Sequence, residues 1–104
     1  MSNKIVFVDD RAKKELRALS DPVQNKFYAQ FKVLMEKGRL EPGVAKKIKA
    51  NLFEIRIKVG GIYRCFYAYI QKSHIVVLHL FQKKTQKTPL KNIKLAVKRL
   101  KDYE

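Results

Sequence analysis

The chain has 104 residues, of which 46% are hydrophobic and 11% aromatic, and this composition is typical of a folded domain rather than a disordered basic tail. No apolar run reaches the roughly 18 residues that a membrane helix needs, and the hydrophobic stretch near the N-terminus is too short for a signal peptide. The single cysteine, Cys65, has no partner for an internal disulfide or a zinc site. We therefore expect one cytoplasmic domain over residues 1–104 that needs neither a metal nor a cofactor.

Charge is the most informative global property of the sequence. The chain contains 24 Lys and Arg against 9 Asp and Glu, a net charge of +15. Residues 1–43 contain nine basic and six acidic side chains, a net +3, whereas residues 44–104 contain fifteen and three, a net +12. Such asymmetry creates a directional positive field that suits a polyanion. Nucleic acid is the leading candidate, ahead of acidic proteins and anionic membrane surfaces.

The first half of the chain predicts one strand and two helices. The segment KIVFV, residues 4–8, is short and rich in β-branched side chains, as strands are. Asp9 or Asp10 can cap a helix through RAKKELRAL. A second helix begins with SDPVQ, where Ser20 or Asp21 can serve as the cap, and it ends at the glycine of EKGRL. Its apolar stripe at helical spacing consists of Val23, Phe27, Phe31 and Leu34.

The second half predicts three strands and a final helix. After a basic turn segment, LFEIRIKV (52–59) alternates apolar and polar side chains, and two mostly apolar strands follow over residues 62–70 and 74–81. A Gly-Gly pair signals the hairpin between the first two strands. Thr88 caps and Pro89 opens the last helix, whose apolar residues form one stripe among lysines.

The element order β-α-α-β-β-β-α predicts an α+β fold, in which a helical hairpin covers one face of a small, mostly antiparallel sheet and a C-terminal helix follows. Arg56 lies on the opposite face. A two-residue turn at the Gly-Gly pair would send Arg64 to the helical face, whereas a bulge or a three-residue loop would place it beside Arg56. In the second case Arg56, Arg64 and Lys83 or Lys84 converge on one patch, with the Arg64 head group outside the core.

Three segments, LFEIR, GGIYRCFY and FQKKTQKTP, together span residues 52–89 and resemble the HigB branch of the RelE/ParE toxin superfamily. The resemblance implies a RelE-like fold and the toxin of a type II toxin–antitoxin system. Relatives of this kind enter the ribosomal A site and cut the mRNA, with the RNA's own 2′-hydroxyl as nucleophile and without a metal. Relatives of the ParE type share the fold and poison DNA gyrase instead, and a non-catalytic RNA-binding module is a further alternative.

The resemblance also implies the partners of the chain. They are the ribosome with its mRNA, and a cognate antitoxin, which in HigB systems is usually a helix-turn-helix protein of the HigA kind. We expect no membrane partner. An antitoxin for so basic a chain should present an acidic or surface-complementary segment.

Cleavage at a phosphate needs charge stabilisation and two proton transfers. Arg56 and Arg64 suit the first task, because a guanidinium presents fixed donors to phosphate oxygens. Crowded lysines lose protons more readily, so Lys83 and Lys84 are candidates for proton transfer or phosphate positioning. Glu54 is a second candidate base, with an ion pair to Arg56 or Lys58 as the alternative role. The side chains expected to bind the RNA backbone are Lys46, Lys47, Lys49, Lys58 and Lys87.

Other polar residues carry weaker signals. His79 lies inside the apolar strand VVLHLF, where a core or sheet-face role is favoured over catalysis. Some relatives of this superfamily place a histidine, aspartate or tyrosine from the C-terminal segment in the active site. Here only Asp102 and Tyr103 could serve, and a frayed terminus is the favoured interpretation for both. The basic residues of the last helix are expected to form a solvated or rRNA-facing surface: Lys91, Lys94, Lys98, Arg99 and Lys101.

Overall fold

The computed structural model describes residues 3–71, 73–87 and 89–104. These residues form five strands, three α-helices and a final 3-10 turn at Lys101–Tyr103. The α+β class and the order of the elements are confirmed, with one strand more than the sequence analysis predicts. In chain order the elements are β1 (Ile5–Val8), α1 (Asp10–Arg17), α2 (Asp21–Lys37), β2 (Ala45–Lys49), β3 (Leu52–Lys58), β4 (Ile62–Ile70), β5 (His74–Lys83) and α3 (Leu90–Leu100).

One five-stranded sheet in the order β1-β5-β4-β3-β2 organises the fold. β1 pairs with β5 in parallel, and the other neighbours are antiparallel. Helices α1 and α2 pack on one face, where alternate sheet residues such as Ile55, Cys65 and Val77 form the larger core cluster. Helix α3 packs on part of the other face, against Phe66 and Leu78. The uncovered remainder of that second face carries the site described below.

The helix ends follow local signals. The Asp9 carboxylate accepts hydrogen bonds from the backbone N–H groups of Arg11 and Ala12, so Asp9 is the cap of α1. Helix α2 ends at Gly38, whose φ of 76° is a left-handed conformation that suits glycine. Thr88, the expected cap of α3, lies outside the described residues, and α3 begins directly after Pro89.

A β-bulge in β5 leaves a free strand edge that two helices close. Phe66 pairs with His79 and Tyr67 pairs with Val77, so Leu78 is the extra residue. β1 ends opposite Val77, and beyond that point Glu15 of α1 accepts a hydrogen bond from the Leu80 N–H at 3.1 Å. Arg99 of α3 donates to the Leu78 carbonyl at 2.8 Å. These side chains satisfy backbone groups that would otherwise form an exposed edge.

Arg99 therefore contradicts the expectation of a solvated or rRNA-facing role. Its side chain is buried, and its Nη1 and Nη2 donate to the two Glu15 carboxylate oxygens, each at 3.0 Å. Arg99 lies in α3 with Lys91, Lys94 and Lys98, and Lys101 follows in the 3-10 turn. Because Arg99 lies over the bulge, however, its guanidinium points to the sheet, where it bonds Glu15 and the Leu78 carbonyl.

The C-terminal turn is anchored, so the expectation of a frayed terminus is wrong. The Tyr103 hydroxyl donates to Asp9 Oδ2 at 2.6 Å, and the Tyr103 ring centroid lies 5.5 Å from that of Phe7. Asp102 accepts a hydrogen bond from Arg11 at 2.9 Å. Burial, together with the hydrogen bond to Asp9, raises the pKa of Tyr103 to about 12. Both residues are thus engaged with the start of α1, away from the lysines that follow β5.

We expect the Glu15 contacts to make the fold sensitive to acid. Burial raises the pKa of Glu15, but hydrogen bonds from His79 and Arg99 outweigh it, and the pKa lies below its ordinary value of 4.5. A depressed carboxylate pKa stabilises the fold above the unfolded pKa, and this contribution is lost as the pH falls through the folded pKa. Glu15→Gln should therefore lower the free energy of unfolding at pH 7 by roughly 1–3 kcal/mol. Urea unfolding at a series of pH values checks this, since the difference between the two proteins should shrink below about pH 4.5. A difference that stays constant down to pH 3 would contradict the assignment.

Candidate nucleic-acid interface

The loop between β3 and β4 determines where Arg64 lies. Lys58 pairs with Ile62, so residues 59–61 form a three-residue loop, and its central glycine has a φ of 63°. This register places Arg56 directly opposite Arg64. The three-residue alternative of the sequence analysis is therefore confirmed, and both arginines lie on the face opposite α1 and α2.

Neighbouring strands extend this face in both directions. On β5, Lys83 pairs with Ile62 of β4, and on β2, Lys46 pairs with Glu54 of β3. Side chains of directly paired residues share a face, so lysines from the strands on either side of β3 and β4 join the two arginines. We call this surface the basic face and define it as Lys46, Arg56, Lys58, Arg64 and Lys83. Lys84 follows β5 directly and is exposed at its rim.

Three of the predicted RNA-binding lysines lie outside the basic face. Lys47 pairs with Phe53, and since Phe53 packs on the helical side, Lys47 lies at the opposite surface. Lys49 is at the far end of β2, beyond a register shift. Lys87 is exposed in the connection between β5 and α3. The fold therefore groups Lys46 and Lys58 with the arginines, places Lys47 on the opposite face, and leaves Lys49 at the far end of β2.

Arg64 is buried, so the expectation that its head group lies outside the core is wrong. The residue is 6% exposed, and its Nη1 donates to Glu54 Oε2 at 2.8 Å. Arg64 is buried because β4 is a central strand with a neighbouring strand on each side. Its paired residues are Phe81 of β5 and Arg56 of β3. Arg64 therefore forms a buried ion pair, with Glu54 only 1% exposed.

Glu54 joins the two arginines electrostatically. The expected ion pair with Arg56 is present, with Arg56 Nε 3.6 Å from Glu54 Oε1, but the close partner is Arg64. Half of the Arg56 side chain is exposed, so its guanidinium can meet a phosphate without rearrangement. In the described part of the chain, Glu54 Oε1 and Arg64 Nε are buried without a hydrogen-bond partner. The arrangement thus presents one solvent-facing guanidinium above a fixed, incompletely satisfied pair.

His79 lies on the sheet, as the favoured interpretation expects. It is 5% exposed, with Nδ1 2.9 Å from Glu15 Oε1 and Nε2 2.7 Å from Asn92 Oδ1. Its ring stacks on Phe81 with a centroid distance of 5.2 Å. Both ring nitrogens face oxygen atoms of the fold, so the histidine links α1, β5 and α3 structurally.

A basic groove of about 420 Å³ lies between the end of β5 and the start of α3. Its lining includes the ring of Phe81 and the exposed Leu90, with Lys83, Lys84 and Lys91 around them. Such a surface suits a nucleotide, because a base can pack on the exposed Leu90 and a phosphate can meet the ammonium groups. From the sequence alone, Lys91 is predicted only as part of the general surface of the last helix. The short connection from the lysine segment to the helix is the signal that could have placed it here.

Neither a membrane-spanning helix nor a metal-binding cluster occurs among the described residues. No helix there is long and apolar enough to cross a bilayer, and no three His, Cys, Asp or Glu side chains are grouped to hold a metal ion. The one cysteine, Cys65, is fully buried, and burial raises the pKa of its thiol. A buried thiol with a raised pKa is inert.

Comparison with known proteins identifies a family and a fold. The family described as Phage derived protein Gp49-like (DUF891) matches residues 14–101. Among solved structures, the chain is similar to a mutant of the E. coli toxin RelE in the free state, with a TM-score of 0.73, 22% identity and coverage of 94% of this chain and 98% of that chain. The isolated E. coli RelE toxin has a TM-score of 0.65 at 23% identity, with coverage of 93% and 98%. No curated protein matches the chain in sequence.

The chain is also similar to structures of complexes. The intact E. coli RelBE toxin–antitoxin complex matches with a TM-score of 0.64 and 22% identity, over 79% of this chain and 99% of that chain. The toxin–antitoxin complex RelBE2 from Mycobacterium tuberculosis matches with a TM-score of 0.61 and 19% identity, over 78% and 99%. At these identities the comparison establishes a shared fold, and it confirms the RelE-like architecture that residues 52–89 predict.

Proposed function

The chain belongs to the Phage derived protein Gp49-like family, and from this membership and its RelE-like fold we propose that it is the toxin of a type II toxin–antitoxin system. Its activity would be that of a ribosome-dependent mRNA endonuclease of the HigB branch, acting in the cytoplasm. The observation that carries the proposal is the basic face, where the exposed Arg56 stands over the buried Glu54–Arg64 pair. The groove beside Lys83 and Lys84 adds a concave surface for the RNA.

The reaction would be an in-line transfer at one phosphate. The 2′-hydroxyl loses its proton, its oxygen bonds to phosphorus, and the bond from phosphorus to the 5′-oxygen breaks. The leaving 5′-oxygen takes a proton, so the products are a 2′,3′-cyclic phosphate and a 5′-hydroxyl. These atoms and charges balance without a redox partner or a hydrolytic water, and the protein supplies only charge and protons.

Each basic residue has a role in this proposal. Arg56 would donate to the phosphate oxygens as negative charge develops on them. Arg64, held by Glu54, would add a fixed positive charge beneath. Lys83 and Lys84, at the end of β5, would exchange the two protons or position the phosphate. The RNA backbone on either side would contact Lys46, Lys58 and Lys87.

A toxin of this kind requires an antitoxin. Two of the similar structures are, by name, complexes of a toxin with its antitoxin, which supports the proposal of a cognate antitoxin for this chain. In line with the resemblance to the HigB branch, we propose a helix-turn-helix protein of the HigA kind. The other partner would be the ribosome with mRNA in its A site.

Primer extension on mRNA from bacteria that express the chain tests the proposed activity. We expect discrete new 5′ ends within translated reading frames, and we expect growth arrest. Arg56→Ala should abolish these ends, whereas Lys26→Ala, a change on the exposed surface of α2, should leave them in place. Trapped gyrase–DNA breaks without mRNA ends would identify a ParE-like poison instead. Neither signal, with RNA binding retained, would leave a non-catalytic RNA-binding module.

A further inference from the structure

A second concave surface lies on the helical side of the sheet and meets the basic face at Lys46. It is a groove of about 350 Å³ between the segment that follows α2 and strands β2 to β4. Its floor is apolar and its rim is basic. The floor includes Leu40, Phe53, Tyr67 and Tyr69, and the rim includes Arg39 and Lys47.

The groove adjoins an open edge of the sheet. β2 is the outermost strand, and the Val44 carbonyl accepts a hydrogen bond from the Arg56 N–H. In an antiparallel ladder the hydrogen-bonded pairs alternate, so the next such pair is Lys46 with Glu54. Ala45, between these two pairs, already donates its N–H to the Glu41 carbonyl. Lys47, the residue after the second pair, turns its backbone N–H and C=O outward. A partner strand would find these groups beside the apolar groove.

We propose that an extended acidic segment of a protein partner docks here as an added strand beside β2. Alternate apolar side chains of that segment would enter the groove, whose volume fits a few such side chains. Its carboxylates would meet the ammonium groups of Lys46, Lys47 and Lys49, three basic residues in one five-residue strand. Main-chain pairing gives affinity in this mode of recognition, and side-chain pockets give specificity. In naming the antitoxin as the partner, the inference rests on the proposed function.

A second copy of the chain is a poor occupant of this edge. Two β2 strands side by side would bring their lysines together, and such like charges are a device that opposes edge-to-edge pairing. An acidic segment relieves the same repulsion. The charge of the strand therefore selects a partner of opposite sign.

Single-stranded RNA is also disfavoured in the groove. RNA binding on an aromatic floor needs a free ring face for each base. Here Phe53 stacks on Tyr67 with a centroid distance of 5.5 Å and an interplanar angle of 23°. Tyr69 meets Phe53 edge-on at 5.2 Å, and its hydroxyl donates to the Gly38 carbonyl. The rings pack on one another, which leaves side-chain packing rather than base stacking as the mode of contact.

The test uses the protein encoded by the neighbouring reading frame as the probe. Hydrogen exchange of the complex should show protection of the amides of β2, above all that of Lys47, relative to the chain alone. Lys47→Glu should weaken binding at least tenfold by titration calorimetry, and Lys98→Glu, the same charge change on exposed α3, should change it less than twofold. Lys47→Pro should weaken binding at least fivefold more than Lys47→Ala, because proline removes the outward N–H while edge strands tolerate it.

Several results would overturn the inference. They are an unprotected β2 in the complex, equal affinities of the Lys47 and Lys98 variants, and protection of β2 by an RNA oligonucleotide. Protection of β2 in the chain alone that rises with concentration would identify a second copy as the occupant and would also overturn it. Growth arrest by the wild-type chain is scored separately. Binding through β2 by a chain that neither arrests growth nor cuts mRNA would defeat the proposed function but not the docking mode.

Discussion

Arg56→Ala should slow mRNA cleavage on the ribosome by about a hundredfold or more, because one preorganised donor to the developing phosphate charge is lost. The same substitution should have little effect on the stability of the fold. Half of the side chain is exposed, and its contact with Glu54 is 3.6 Å long, so the free energy of unfolding should change by less than about 1 kcal/mol. Single-turnover cleavage of an A-site mRNA on purified ribosomes, with a melting curve for each variant, measures both effects.

Two variants make this result interpretable. Arg56→Lys keeps the charge but loses the planar fork of donors, so it should restore cleavage only in part. Lys58→Ala removes a neighbouring exposed cation and should weaken ribosome binding more than it slows the chemical step. Cleavage by Arg56→Ala at the wild-type rate would remove Arg56 from the catalytic set.

Arg64→Ala should destabilise the protein by about 3–5 kcal/mol, because it leaves the Glu54 carboxylate buried without its close partner. Glu54 is 1% exposed and its bond to Arg64 is 2.8 Å long, so the variant loses the close contact that balances this carboxylate. Urea unfolding at pH 7 measures the loss. A loss of cleavage by Arg64→Ala can therefore result from unfolding, whereas a loss of cleavage by Arg56→Ala cannot be explained in this way.

A double substitution separates the charge effect from packing. Glu54→Leu combined with Arg64→Met replaces the buried pair by apolar side chains of similar size, which is often neutral for stability. The double variant should recover most of the stability that Arg64→Ala loses, yet it should still cut slowly because the fixed charge is gone. If Arg64→Ala unfolds at the wild-type urea concentration, the pair is not buried in solution.

Local sequence signals predicted most of the elements but missed β2. The helices carried caps, a proline and a glycine end, and β3 carried a clean alternation, so each could be located from its own residues. The segment AKKIK of β2 has two lysines in succession and one large apolar residue, since an edge strand has little surface to bury. Its strand character comes from pairing with β3, which a turn-like sequence context concealed.

The sequence indicated which residues belong to the candidate site better than it indicated how they are placed. Sequence identified Arg56, Arg64 and Lys83 as neighbours, but whether Arg64 shared their face depended on one residue in a hairpin loop. Its burial depended on strand order, which no local pattern reveals. The contacts of Arg99 with Glu15 and of Tyr103 with Asp9 join residues that are 84 and 94 positions apart, so no periodicity could indicate them.

The bulge at Leu78 acts as a change of phase within β5. Before it, Val77 points to the helical side; after it, His79 and Phe81 share the face of their partners Phe66 and Arg64. If the same residues followed strict alternation without the bulge, the outer half of the strand would turn over and Lys83 would lie on the helical side. The inner half of β5 therefore contributes Val77 to the helical core, and the outer half places Lys83 on the basic face, with Leu78 between the two halves. An insertion of two residues in the outer half would leave each later side chain on its present face of the sheet. An insertion of one residue would move every later side chain to the other face.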